Sequence, residues 1–152
     1  MTRLFLYLWS LPTTLLLLLP LLLAWPFRQA RPVGWHRAWE WEVVSGSILD
    51  RRWHMGAAAV GWVTLYKPGT RERLRAHETA HVEQALRLGP LAFVLWPAVV
   101  LLIWLACPRL HSYYDNPMEL DARRAAGEAF EVQPHQWRLT RWWPWLPREP
   151  RE

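Results

Sequence analysis

The chain of 152 residues holds a single cysteine, Cys107, and a single lysine, Lys67. One cysteine excludes an intrachain disulfide and any cysteine-based zinc cluster, and it fits a reducing compartment. With one lysine, the formal charge of +5 rests almost wholly on arginine. A basic balance suits nucleic acid or an anionic membrane surface. No nucleic-acid motif is present, whereas two strongly apolar segments are, so the balance favours the membrane. Internal repeats are lacking as well, and the length suffices for one compact domain but not two.

What the chain does have is unevenly spread. Met1 to Phe27 is almost free of charge, while Arg28 to Gly89 is rich in it. Leu4 to Trp25 is apolar apart from Thr, Ser and Tyr. As one helix it is long enough to cross the roughly 30 Å hydrocarbon core. It is longer than the apolar part of a typical signal peptide, and Ala24-Trp25-Pro26 is a poor cleavage context, so it reads as an uncleaved anchor. Pro12 and Pro20 are candidate kinks. Tryptophan is abundant, with 13 residues. Trp25, Trp35, Trp39 and the Trp142, Trp143, Trp145 cluster flank apolar or basic stretches, where indole suits both a membrane interface and a small core.

Arg28 to Pro32 reads as a basic linker. From Ala38 to Val44, Trp39, Trp41 and Val43 alternate with Glu40 and Glu42, the period of a strand. Gly46-Ser47 suggests a turn. Gly61 to Tyr66, β-branched and aromatic, reads as a second strand ended by Lys67-Pro68-Gly69. Thr70 is placed to cap a helix over Arg71 to Leu88, which Gly89-Pro90 should stop. Leu91 to Cys107 is the second apolar run, with Pro97 inside it. Asn116-Pro117 reads as N-cap and first position of another helix reaching about Phe130. The expected organisation is an anchor over 1–27, a domain over 28–132 that includes an apolar helix 91–107, and a Trp-, Arg- and Pro-rich tail over 133–152 lying on a membrane surface.

The sharpest pattern is His77-Glu78-Thr79-Ala80-His81 within the expected 71–88 helix. Residues four apart share a helix face, so both imidazoles can reach one metal ion. Glu78 can project beside that ion and take a proton from metal-bound water. Catalytic zinc usually has three protein ligands, so a third is required. Candidates are Glu83, His111, Asp115, Glu119 and Asp121, with His36, His54 and His135 more remote. Glu119 has a second reading: three residues after Asn116 it occupies the capping-box position, and Arg123 lies one turn further. Tyr113 and Tyr114 precede this helix as candidate oxyanion donors or as packing. The edge of the 61–66 strand could take an extended peptide by strand addition.

His77-Glu78-Thr79-Ala80-His81-Val82-Glu83-Gln84, followed by Asn116-Pro117-Met118-Glu119-Leu120-Asp121-Ala122, resembles the gluzincin pattern of zinc peptidases. It looks most like small bacterial membrane proteins with HExxHxxQ and a later NPxExxA. The resemblance covers about Val60 to Ala126. It implies an α+β, mainly α fold: a minimal zincin-like helical core with a small β-hairpin or meander and an N-terminal transmembrane helix. It also implies Zn²⁺ held by His77, His81 and Glu119, with Glu78 as general base. Where many such membrane proteins carry Asp after the alanine, supporting a ligand histidine, this chain has Arg123.

These residues point to a membrane-anchored zinc peptidase acting on a peptide or protein. The alternatives are a non-catalytic interaction or regulatory protein with a structural metal site, and a metal-free, Trp-rich membrane-surface protein. To share a metal, His81 and Glu119 must lie on one side of any bilayer, so Gly89-Pro90 is expected to turn the chain into a helical hairpin. Arg28, Arg31 and Arg37 follow the first apolar run, whereas only Arg3 precedes it, which places the body in the cytoplasm at a bacterial inner membrane.

Overall fold

The computed structural model describes residues 3–106 and 115–128. The expectations for Cys107, His111, Tyr113, Tyr114, Phe130, His135 and the 133–152 tail lie outside the described residues. The fold is mixed α/β and mainly helical. In chain order it runs α1 (Arg3–Trp9), α2 (Leu11–Ala24), β1 (Ala30–His36), β2 (Ala38–Val43), α3 (Ile48–Arg52), β3 (Ala57–Val60), β4 (Val63–Tyr66), α4 (Arg71–Leu88), a 3₁₀ turn at Gly89–Leu91, α5 (Ala92–Ala106) and α6 (Pro117–Ala125).

The four strands form one sheet in the order β1-β2-β4-β3. β1–β2 and β3–β4 are antiparallel, while β2–β4 is parallel, so the sheet is neither a lone hairpin nor a meander. Period two sorts the side chains. Trp41, Val43, Val63 and Leu65 gather with Leu18 and Leu21 of α2 in one core. Ala38 of β2 joins Val82 and Leu86 of α4 in another. A sheet sandwiched between α2 and α4 follows, with both strand faces covered.

β1 occupies part of what reads as a linker. A bulge between Pro32 and Gly34 breaks its alternation, and Arg37, at φ 57°, closes the tight turn into β2 without a glycine. Tyr7 Oη donates to the Arg37 carbonyl at 2.9 Å and secures that turn. Gly46-Ser47 starts a short helix: Ser47 Oγ accepts from the Asp50 N–H at 3.1 Å. The second strand is shorter than expected, because Gly61 and Trp62 form the β3–β4 turn. Gly61 has φ 61°, and a Cβ there would strike the Thr14 backbone.

The first apolar run is two helices, not one continuous span. α1 and α2 meet at 67° around Ser10. Pro12, in the first turn of α2, has no N–H to continue the ladder from α1. Thr13 and Thr14 then engage the body: Thr13 Oγ1 donates to the Gly89 carbonyl at 3.0 Å, and Thr14 Oγ1 accepts from the Trp62 N–H at 3.2 Å.

Gly89-Pro90 does not make the expected hairpin. Arg71–Leu105 is one helical run of 35 residues, broken only by the 3₁₀ turn. Pro90 sits at the start of that turn, where a missing N–H costs no hydrogen bond. Gly89 is required by its φ of 56° and by the Trp9 indole, which occupies the space a Cβ would take. By length and composition the run can cross a membrane, and its uncharged part is 89–106. Leu101, Leu102, Trp104 and Leu105 on α5 are exposed, as are Leu4, Phe5 and Leu8 on α1.

Candidate metal centre

α4 starts where Thr70 leaves the Lys67-Pro68-Gly69 turn. Its hydroxyl does not cap the helix; its single proton lies between two acceptors, the carbonyls of Gly56, at 2.7 Å, and Lys67, at 2.9 Å. A buried ion cluster then fixes α4 to β2. Glu40, 1 % exposed, accepts from Arg71 Nε at 2.8 Å and from Arg75 Nε at 3.0 Å. Two turns along the same helix His77 and Glu78 are buried, and His81 is half-buried.

α6 brings the third group. Asn116 Oδ1 accepts from the Met118 N–H at 3.0 Å, and Pro117 occupies the first turn, as the sequence suggests. The helix ends at Ala125, short of Phe130. Glu119, 3 % exposed, turns toward α4. Its Oε1 lies 3.4 Å from His77 Nε2, and its Oε2 lies 3.3 Å from His81 Nε2. The two Nε2 atoms are 3.1 Å apart. His77, His81 and Glu119 therefore form a buried group able to hold a metal ion. Among the other described candidates, Glu83 pairs with Arg37 at 3.9 Å, Asp121 contacts Gln84, and His36 and His54 are exposed.

Do the donors fit a metal? A tetrahedral ion with bonds of about 2.0–2.2 Å holds its ligand atoms roughly 3.3 Å apart. Here the two Nε2 atoms are 3.1 Å apart, each has its own Glu119 oxygen at 3.4 or 3.3 Å, and one ligand atom from each of the three residues lies within 4.8 Å of the others. Hydrogen placement agrees with the spacing. Gln84 Nε2 donates to the Met118 carbonyl and to Asp121 Oδ2, both at 2.9 Å. Its carbonyl oxygen therefore faces His81 Nδ1, at 3.0 Å, and accepts that proton. Glu128 Oε1 lies 3.2 Å from His77 Nδ1. With its Nδ1 proton on Gln84, a neutral His81 presents its Nε2 lone pair on the side of Glu119, the tautomer that a metal ligand requires. Two imidazole nitrogens and a carboxylate converging in this way fit a divalent ion.

Charge is strongly coupled in the site. Burial opposes ionisation of Glu119, but His77 and His81 beside it, when they carry a proton on Nε2, outweigh it and hold the carboxyl well below the usual range. Burial likewise disfavours a charged His81, yet Glu119, Glu78 and Gln84 together raise its pKa. Glu78 behaves differently. Burial is the main effect and pushes it above the ordinary carboxylate value, against the pull of His81 and His77. Its Oε2 is buried with no hydrogen-bond partner among the described residues.

Glu78, His81 and Glu119 open into a cavity of about 450 Å³. Its wall includes β3, the sheet edge, whereas the expected peptide-binding strand 61–66 is paired on both sides. Gln84 supports His81, Glu128 Oε1 lies near His77 Nδ1 without a hydrogen bond to it, and Arg123 Nε reaches Glu119 Oε1 at 3.3 Å. Gln84, three residues after His81, was legible as a neighbour on the same helix face. Glu128 follows the positive-φ Gly127 beyond α6 and carries no motif signal.

No protein-family model matches the chain, and neither a curated protein nor a solved structure matches it.

Proposed function

We propose that the protein is a membrane-associated zinc peptidase. The observation that carries this reading is the buried Glu78 carboxylate, with an unpartnered oxygen, facing the same cavity as His81 and Glu119. His77, His81 and Glu119 would hold the ion. When bound, zinc supplies Lewis acidity and makes a water ionisable near neutral pH. Glu78 takes the proton of the attacking water and delivers it to the leaving amine. Its raised pKa suits a group that must both accept and return a proton. The peptide carbonyl meets the water in an extended chain laid against β3, whose outer backbone edge has no neighbouring strand among the described residues. Alanines at 57, 58 and 59 leave that edge open to close approach.

The apolar surfaces of α1 and α5 support residence at a membrane. The zincin-like core suggested by the sequence belongs to this proposal, as do zinc itself and a cytoplasmic body at a bacterial inner membrane. Because Glu119 sits between both α4 histidines, α4 and α6 share one side of any bilayer.

A structural metal staple without catalysis is the second reading, favoured by the way the site ties α6 to α4. Glu78→Gln separates the two. For a peptidase, the purified full chain loaded with zinc cleaves a mixed peptide library, and Glu78→Gln retains zinc while losing ~10²–10⁴ in rate. A staple gives zinc-loaded wild type with no cleavage.

A further inference from the structure

The cavity beside the metal centre differs in character from the centre itself. Apart from Glu78, His81, Gln84, Glu119 and Thr13, its wall is apolar side chain and β3 backbone. Leu88 closes it from α4, Phe93, Trp96 and Pro97 from α5, and Met55 from the segment before β3. Ala85 and Ala92 of the helical run and the three alanines of β3 also line it, small side chains that leave room. A volume of about 450 Å³ falls within the range of roughly 300–1,000 Å³ typical of ligand sites. Among the described residues no charged group at the apolar end awaits a lysine, arginine or carboxylate side chain, so a charge buried there would find no partner among them.

Resting on the peptidase reading, we propose that this cavity selects an extended polypeptide bearing a bulky aliphatic or aromatic side chain next to the bond presented to Glu78. The side chain lies between the alanines of β3 and the Phe93–Pro97 stretch of α5. The peptide backbone runs along the β3 edge, which is unpaired among the described residues, so main-chain hydrogen bonds give affinity and the apolar wall gives selectivity. The break at Gly89-Pro90 contributes directly: it carries the helical run past the metal ligands and brings α5 to the cavity wall. Thr13, bonded to the Gly89 carbonyl, holds that junction from α2.

The test is isothermal titration of short end-blocked peptides into zinc-loaded, full-length Glu78→Gln in detergent, with a micelle-only blank subtracted. The peptides differ at one central position: Leu, Phe, Gly, Asp or Lys. Leu and Phe peptides are expected to bind at least tenfold more tightly than Asp and Lys peptides. Phe93 is half exposed, so Phe93→Ala should fold; it should weaken the Phe peptide at least threefold while zinc stoichiometry stays at wild type. Equal affinities across the series overturn the proposal, as does binding of none. Wild-type cleavage of the same peptides separates the two levels. Cleavage at equal rates for all side chains keeps the peptidase and removes the selectivity; neither cleavage nor binding removes both.

Discussion

Gln84 connects the two halves of the candidate metal centre: its carbonyl oxygen lies 3.0 Å from His81 Nδ1, while its amide nitrogen lies 2.9 Å from Asp121 Oδ2 on α6. One side chain thus sets the tautomer of an α4 histidine and ties it to the helix that supplies Glu119. Supports of this kind are worth ~10–100-fold in metal affinity. Gln84→Leu should therefore weaken zinc binding by about that factor without unfolding the chain. Competition with a chelating dye, alongside circular dichroism, checks it; unchanged affinity would mean that His81 needs no such support.

A second prediction concerns Glu40. It is buried and meets two arginines of α4. Arg71 and Arg75 retain partial access to water, while Glu40 has almost none. Removing both arginines strands a buried carboxylate, which typically costs ~3–5 kcal/mol. The Arg71→Met, Arg75→Met double variant should lose more stability in denaturant than Glu40→Gln, which leaves no buried charge. The opposite order would show that the arginines matter mainly through other contacts.

Tyr66 gives an alkaline prediction. Burial pushes its hydroxyl up to about 12, from 10.0. A folded pKa above the unfolded one means the contribution is complete below about 10 and disappears as pH rises through about 12. Stability measured from pH 9 to 12 should fall less steeply in Tyr66→Phe than in wild type. Parallel curves would place Tyr66 ionisation outside the unfolding equilibrium.

Several features were readable because they are local. The alternation of Trp39, Trp41 and Val43 marked β2, the HExxH spacing marked one face of α4, and Asn116-Pro117 marked the start of α6. Others depend on distant partners. β1 carries Pro32, Gly34 and a bulge, and its turn relies on Arg37 in a conformation usually left to glycine; pairing with β2 overrides these signals. β3 is an alanine-rich strand of weak propensity, defined by its pairing to β4 and by the helix against it. Gly89-Pro90 looks like a stop, yet Thr13 and Trp9 from the N-terminal helices hold it as a joint within one helical run. In the site, His77 and His81 came from helical spacing, whereas Glu119 was one candidate among several until the gluzincin resemblance singled it out. Glu128 carried no such signal, because only the fold brings it to His77.

The central claim is that His77, His81 and Glu119 together bind a metal ion. Its most direct test is zinc affinity of purified wild type and Glu119→Gln by competition titration, with elemental analysis giving stoichiometry. Glutamine preserves the size of Glu119 and remains serviceable at a capping position, but it removes the charged oxygen donor. About one zinc per wild-type chain is expected, with affinity for Glu119→Gln lower by more than the ~10–100-fold attached to an outer support. A wild-type chain that takes up no zinc, or a Glu119→Gln variant that binds it as tightly as wild type, would contradict the account.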